Sequence, residues 1–134
     1  MSEWITPKIN WIYGEGFDHI DYNRIRNNLL FLCEKANKIY PPEIELPDLG
    51  AEKTRDSYFY ADEFNAFEEV LERLKEQVQD LGIGEKQIFY PLGKFIGYEE
   101  RNRIEKACLL YYNFFNKDEV TRTEFRTELT FLNV

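Results

Sequence analysis

Apolar residues recur along most of the chain at the alternating three- and four-residue spacing that places them on one face of an α-helix. The first such series, Tyr22, Ile25, Leu29, Leu32, Ala36 and Ile39, predicts a helix over 20–39. Asp18 and Asp21 are candidate N-caps, and Pro41-Pro42 forces the stop. A second series, Tyr60, Phe64, Phe67, Leu71, Leu74, Val78 and Leu81, predicts a helix over 58–81, with Asp62 as cap of its regular part and Gly82 and Gly84 as left-handed stops. A third, Ile104, Cys108, Tyr111 and Phe115, predicts a helix over 98–115. Over 120–133 the period changes. Phe125, Thr127, Leu129 and Phe131 alternate with polar residues, as in a half-buried strand. Residues 1–17, with Trp4, Pro7 and Trp11, read as an extended arm or edge strand. That arm is the natural partner for the terminal strand, in the same chain or between subunits. The polar connection 41–55 is expected to be the mobile segment. The expectation is a mainly α single domain over 1–134: a three-helix bundle-like core with an N-terminal extended arm and a C-terminal β-strand. The second helix holds three heptads, the lower limit for a coiled coil. Core packing is the reading preferred over a self-associating seam.

The helix starts share more than apolar spacing. Asn23, Asn65 and Asn102 occupy one register, followed by apolar residues at +2, +6, +9 and +13. Arg24 and Arg103 follow two of these asparagines, and Ala66 stands where the second helix would repeat the arginine. Asn is a poor helix former because its amide competes for backbone partners. Three in one register predict a role in capping a neighbouring loop or in bonding across the bundle. Arg24 and Arg103 can fork onto a carboxylate or onto carbonyls at a helix end. An internal repeat of this kind favours a scaffold over an enzyme.

Charge sharpens the picture for one segment only. Residues 41–80 hold twelve acidic and four basic side chains, and this segment carries the whole formal charge of −8. Nucleic-acid binding needs basic surface, and no segment supplies it. Glu68, Glu69, Glu72 and Glu76 form a solvated helix face or an acidic contact for a basic protein. The apolar runs are too short to span a bilayer, and the start lacks a signal peptide's basic and apolar stretches. The expected location is therefore the cytoplasm. Cys33 and Cys108 lie in apolar helical stretches and read as buried thiols.

Chemistry finds little to stand on. His19 is the sole histidine and sits at a helix start. No His/Cys cluster suits a metal, and no loop in 41–80 has an EF-hand's spacing. Glu68-Glu69 and Glu99-Glu100 are neighbours that point apart on a helix. The glycine pairs 14/16 and 82/84 lack the rest of a phosphate loop. No enzyme activity and no cofactor are expected.

Trp4-Ile5-Thr6-Pro7-Lys8-Ile9-Asn10-Trp11, then Gly16-Phe17-Asp18, then Asp21-Tyr22-Asn23-Arg24-Ile25-Arg26-Asn27-Asn28 resemble the N-termini of small structural proteins from tailed phages and prophages of Gram-positive bacteria. In those proteins Asn-Arg-Ile-Glu helices can recur downstream, as residues 102–105 do here. The resemblance covers residues 4–32 and 98–106. It implies a virion or tail-associated part, or an assembly factor, made in the cytoplasm of a bacterial host, whose partners are other protein subunits, itself among them; the charge and the short apolar runs argue against nucleic acid and membrane as partners. Trp4, Trp11, Phe125 and Phe131 are the candidate contact residues on this reading. The rival reading is an acidic inhibitor of the immunity or antitoxin kind, which uses Glu68, Glu72 and Glu76 against a basic effector.

Overall fold

In the computed structural model three helices account for all regular structure among the described residues, namely 3–40, 44–45 and 47–132, with the side chains of the last helix as far as Lys117. They are α1 (His19–Ile39), α2 (Ala61–Gln77) and α3 (Tyr98–Leu132). The mainly helical, three-helix core matches the hydrophobic pattern. The C-terminal strand does not: α3 runs on through this segment to Leu132. Counted from Ile104, Cys108, Tyr111 and Phe115, the helical register continues to Asp118, Arg122, Phe125, Leu129 and Leu132. A three-four spacing and a two-residue alternation therefore overlap on Phe125 and Leu129. With no second strand among the described residues to pair with, the helix prevails.

Each helix start has its own local cause. Asp18 accepts from the backbone N–H groups of Ile20 (3.0 Å) and Asp21 (3.2 Å), while the Asp21 carboxylate accepts from the Asp18 N–H at 3.0 Å. This reciprocal box satisfies donors that the first turn leaves free. At α2 the Glu63 carboxylate takes the Tyr60 N–H at 2.7 Å, so Tyr60, not Asp62, is the N-cap. α3 starts after Gly97, whose carbonyl accepts the Arg101 N–H at 2.9 Å. α2 is shorter than its apolar pattern. It ends at Gln77, and Gly82 and Gly84, at φ +74° and +86°, shape the connector beyond it.

Cross-contacts show that the helices run in the same direction. Arg24 meets Glu105 near the starts of α1 and α3, Phe31 meets Tyr112 midway at 5.9 Å, and Tyr40 meets Phe115 at 6.1 Å beyond the end of α1. α2 and α3 follow suit, with Glu68 on Arg103 and then the Tyr111 hydroxyl donating to the Gln79 carbonyl at 2.6 Å. Parallel neighbours require connections that travel back along the bundle, and residues 40–60 and 78–97 do so. The repeat register forms the core: Ile25, Leu29, Leu32 and Ala36 pack with Phe67, Leu71 and Leu74 and with Ile104, Cys108, Tyr111 and Phe115. Each large member contributes about 2 kcal/mol by leaving water. The connectors add to this core. Ile44, Leu49, Ile83 and Ile96 are buried, and the Ile44 N–H donates to the Asn37 side chain at 2.7 Å. The 41–55 connection is thus anchored at Ile44 and Leu49 rather than free along its length; residues 41–43 and 46 of it lie outside the described residues.

Candidate functional site

The three asparagines in register perform one task. The Asn23 side chain donates to the Lys53 carbonyl (2.9 Å) and accepts the Lys53 N–H (2.8 Å). Asn65 does the same to Phe89, at 2.8 and 2.7 Å. Asn102 does the same to Trp11, at 2.9 and 2.8 Å. A primary amide offers one donor and one acceptor side by side, which matches the paired N–H and C=O of a single extended residue. Each asparagine is the fifth residue of its helix. The clamped residues lie eight positions ahead of His19, eight ahead of Ala61 and nine ahead of Tyr98. α1 therefore holds the segment that leads into α2, α2 holds the segment into α3, and α3 holds the segment into α1. The contacts close in a ring of three units.

A second mark of the ring went unread in the sequence. The sixth residue after each clamped position is a phenylalanine: Phe17, Phe59 and Phe95. Their rings meet as a triangle, with centroids 5.4 Å (17–59), 5.9 Å (17–95) and 5.9 Å (59–95) apart. Phe64 touches all three. The signal was present at spacings of 42 and 36 residues, but these phenylalanines fall between helices, where no periodicity draws attention to them.

Arginine and glutamate join the units. Arg24 donates to both oxygens of Glu105 at 2.7 and 3.0 Å, and Arg103 bonds the Glu68 carboxylate. Both acids are about 1% exposed. Burial pushes the Glu68 carboxyl above its ordinary range, against the opposing pull of Arg103. The arginine stands one residue after the asparagine and the glutamate three after it. At the remaining seam, between α2 and α1, those positions are Ala66 and Arg26. Arg26 turns instead to the Gly50 carbonyl, at 2.6 and 2.9 Å.

The N-terminal arm closes the ring. Besides the Trp11 clamp, Asn28 grips both backbone groups of Ile5 at 2.8 and 2.9 Å. Glu105 accepts the Lys8 N–H (3.0 Å) and the Trp11 indole N–H (2.6 Å). Trp4 stacks on Tyr112 with centroids 4.0 Å apart. Side-chain amides thus replace the strand partner expected for this arm.

The residues singled out from sequence fall in different places. Asn23, Arg24, Asn65, Asn102 and Arg103 make the ring contacts above. Trp11 is buried and Trp4 half-buried against its own helices, so neither is an open contact. Glu68 lies in the interior, and Glu69 pairs with Lys86 at 2.6 Å. Glu72 is half-buried and Glu76 exposed. The side chains of Phe125 and Phe131 lie outside the described residues. Burial pushes the Cys33 thiol up to about 12 and raises Cys108 as well. No group of three or more His, Cys, Asp or Glu suited to a metal occurs among the described residues, nor does a helix long and apolar enough to cross a membrane.

The surface of the ring is least uniform at the turn after each clamp. In the first unit the Glu15 carboxylate takes the Ile12 N–H at 2.8 Å while the Glu15 N–H reaches the Ile12 carbonyl at 3.3 Å. In the second unit Ser57 and Thr54 repeat this, at 2.9 and 3.0 Å. In the third the equivalent residue is Gly93. Its N–H bonds the Tyr90 carbonyl at 2.9 Å, but it has no side chain to take the Tyr90 N–H. A Cβ there would stand 2.9 Å from that carbonyl, and Leu92 adopts φ +61°. Two clefts of 740 and 400 Å³ flank this third turn. Ile12, Tyr13, Ile88, Tyr90, Leu92 and Phe95 lie exposed around them. No protein-family model, curated protein or solved structure matches the chain.

Proposed function

We propose that this chain is a non-catalytic protein-binding component, a structural or assembly part of a phage or prophage particle, and that it meets its partner through the apolar surface around the third turn. One observation carries the reading. The ring is its own control: the turn that is Ile12-Tyr13-Gly14 in the first unit and Tyr90-Pro91-Leu92 in the third is Thr54-Arg55-Asp56 in the second. The fold therefore accepts polar residues at these positions, and exposed aromatic and aliphatic side chains here answer to something other than folding. The phage assignment rests on the arm and the Asp-Tyr-Asn-Arg-Ile motif; the ring accounts for why those residues recur. The rival acidic-inhibitor reading retains Glu72 and Glu76 but loses Glu68, which is committed to Arg103.

Co-expression with the products of neighbouring genes tests the proposal. A particle or tail component should co-purify with the chain, and Tyr13→Ser combined with Leu92→Ser should abolish that, while Glu72→Lys with Glu76→Lys should not. The opposite pattern, or an adjacent toxin as the co-purifying protein, overturns it.

A further inference from the structure

We infer that residues 88–90 are a vacant strand edge that receives an extended, apolar-rich segment of a partner protein by main-chain pairing. The inference rests on the protein-binding reading above and specifies the shape and chemistry of what binds. In an extended chain, successive residues present their N–H and C=O groups to opposite sides. The Gln87 N–H reaches Glu68 at 3.4 Å, and both backbone groups of Phe89 are held by Asn65. These odd-numbered residues face α2. Ile88 and Tyr90 consequently turn theirs outward. Among the described residues nothing accepts the Ile88 or Tyr90 N–H, and nothing donates to the Ile88 carbonyl. The corresponding outward N–H groups of Ile12 and Thr54 are capped by Glu15 and Ser57. The position of Ile88, which is Asn10 and Glu52 in the other units, lacks a backbone partner among the described residues in all three; only in the third, where Gly93 replaces the cap, is the next outward N–H, that of Tyr90, left open as well.

A docked strand would form a two-bond pair with Ile88 and a third bond to the Tyr90 N–H. Main-chain pairing supplies affinity in this mode, and flanking pockets for alternate side chains supply selectivity. The clefts on either side of the edge are placed for that second task. Glu99, exposed in the lining of the larger cleft and bonded, among the described residues, to the Tyr98 hydroxyl alone (3.2 Å), favours a lysine or arginine at one end of the segment.

A displayed random dodecapeptide library selected against the full chain is the probe. The expected winners alternate apolar and polar residues with a basic end. Bound to the protein, they should slow amide exchange at Ile88 and Tyr90 at least tenfold, and Tyr13→Ser or Leu92→Ser should weaken them at least tenfold. Arg55→Ser, on the equivalent polar turn, should leave binding unchanged. Winners with helical spacing, protection at other amides, or no enrichment at all overturn the strand-edge inference. The broader proposal fails separately, if the co-purifying partner is indifferent to Tyr13→Ser with Leu92→Ser.

Discussion

Two seams of the ring, α1 with α3 and α3 with α2, are closed by a buried arginine–glutamate pair; the third, α2 with α1, is not. The difference lies in what stands where the third pair would be. Ala66 stands where the arginine would be and Arg26 where the glutamate would be, so neither seam residue is left facing an empty place. A lone charge buried in such a site costs about 3–5 kcal/mol, whereas Arg26 is half-buried and keeps a charge-assisted hydrogen bond to a carbonyl. Arg26 takes the Gly50 carbonyl, three residues before the clamped Lys53, where its counterpart Glu105 takes the N–H of Lys8, three residues before the clamped Trp11. Polarity is inverted at that seam, but the connection to the backbone survives.

Glu105→Ala should be the most damaging change. It leaves Arg24 with Asp21 as its remaining acidic partner, removes the acceptor of the Trp11 indole and the Lys8 amide at once, and should cost about 3 kcal/mol in chemical denaturation. Arg26→Ala, at the unpaired seam, should cost less than about 1 kcal/mol. Equal effects would break the distinction between the seams. Rebuilding the third pair sharpens it further. Ala66→Arg and Arg26→Glu should each destabilise alone, and the double variant should recover on the order of 1 kcal/mol of coupling in a double-mutant cycle. Zero coupling would show that the third seam is not geometrically equivalent. The smallest effect belongs to a cap outside the seams. Asp18→Ala should cost about 1 kcal/mol. The Asp18 carboxyl is held below its ordinary value of 3.8, first by the Asp21 N–H. Its contribution is therefore complete above that value and fades as pH falls through the lower folded value. Asp18→Asn should keep the cap and lose that acid dependence, read from melting temperature between pH 5 and pH 2.

The sequence made the helices legible because burial imposes a period, and the asparagines legible because they are costly in a helix interior. It hid the ring. Trp11, Lys53 and Phe89 share no side-chain chemistry, since the clamp grips only their backbone, and no comparison of residue types would have aligned them. Phe17, Phe59 and Phe95 are alike but stand in irregular segments and meet only once the helices are parallel. Direction could not be read either, because an apolar stripe is the same from both ends. The open turn was invisible for a simpler reason: Gly93 matters there for the side chain it lacks.

The ring also loosens the tie between chain order and structure. Trp4, near the first described residues, lies against Tyr112 of α3, close to the level where α2 hands over to its connector. The three clamps and the phenylalanine triangle fix the order of the units around the ring but not which unit stands first along the chain. The covalent order of the units is one of three that this architecture permits.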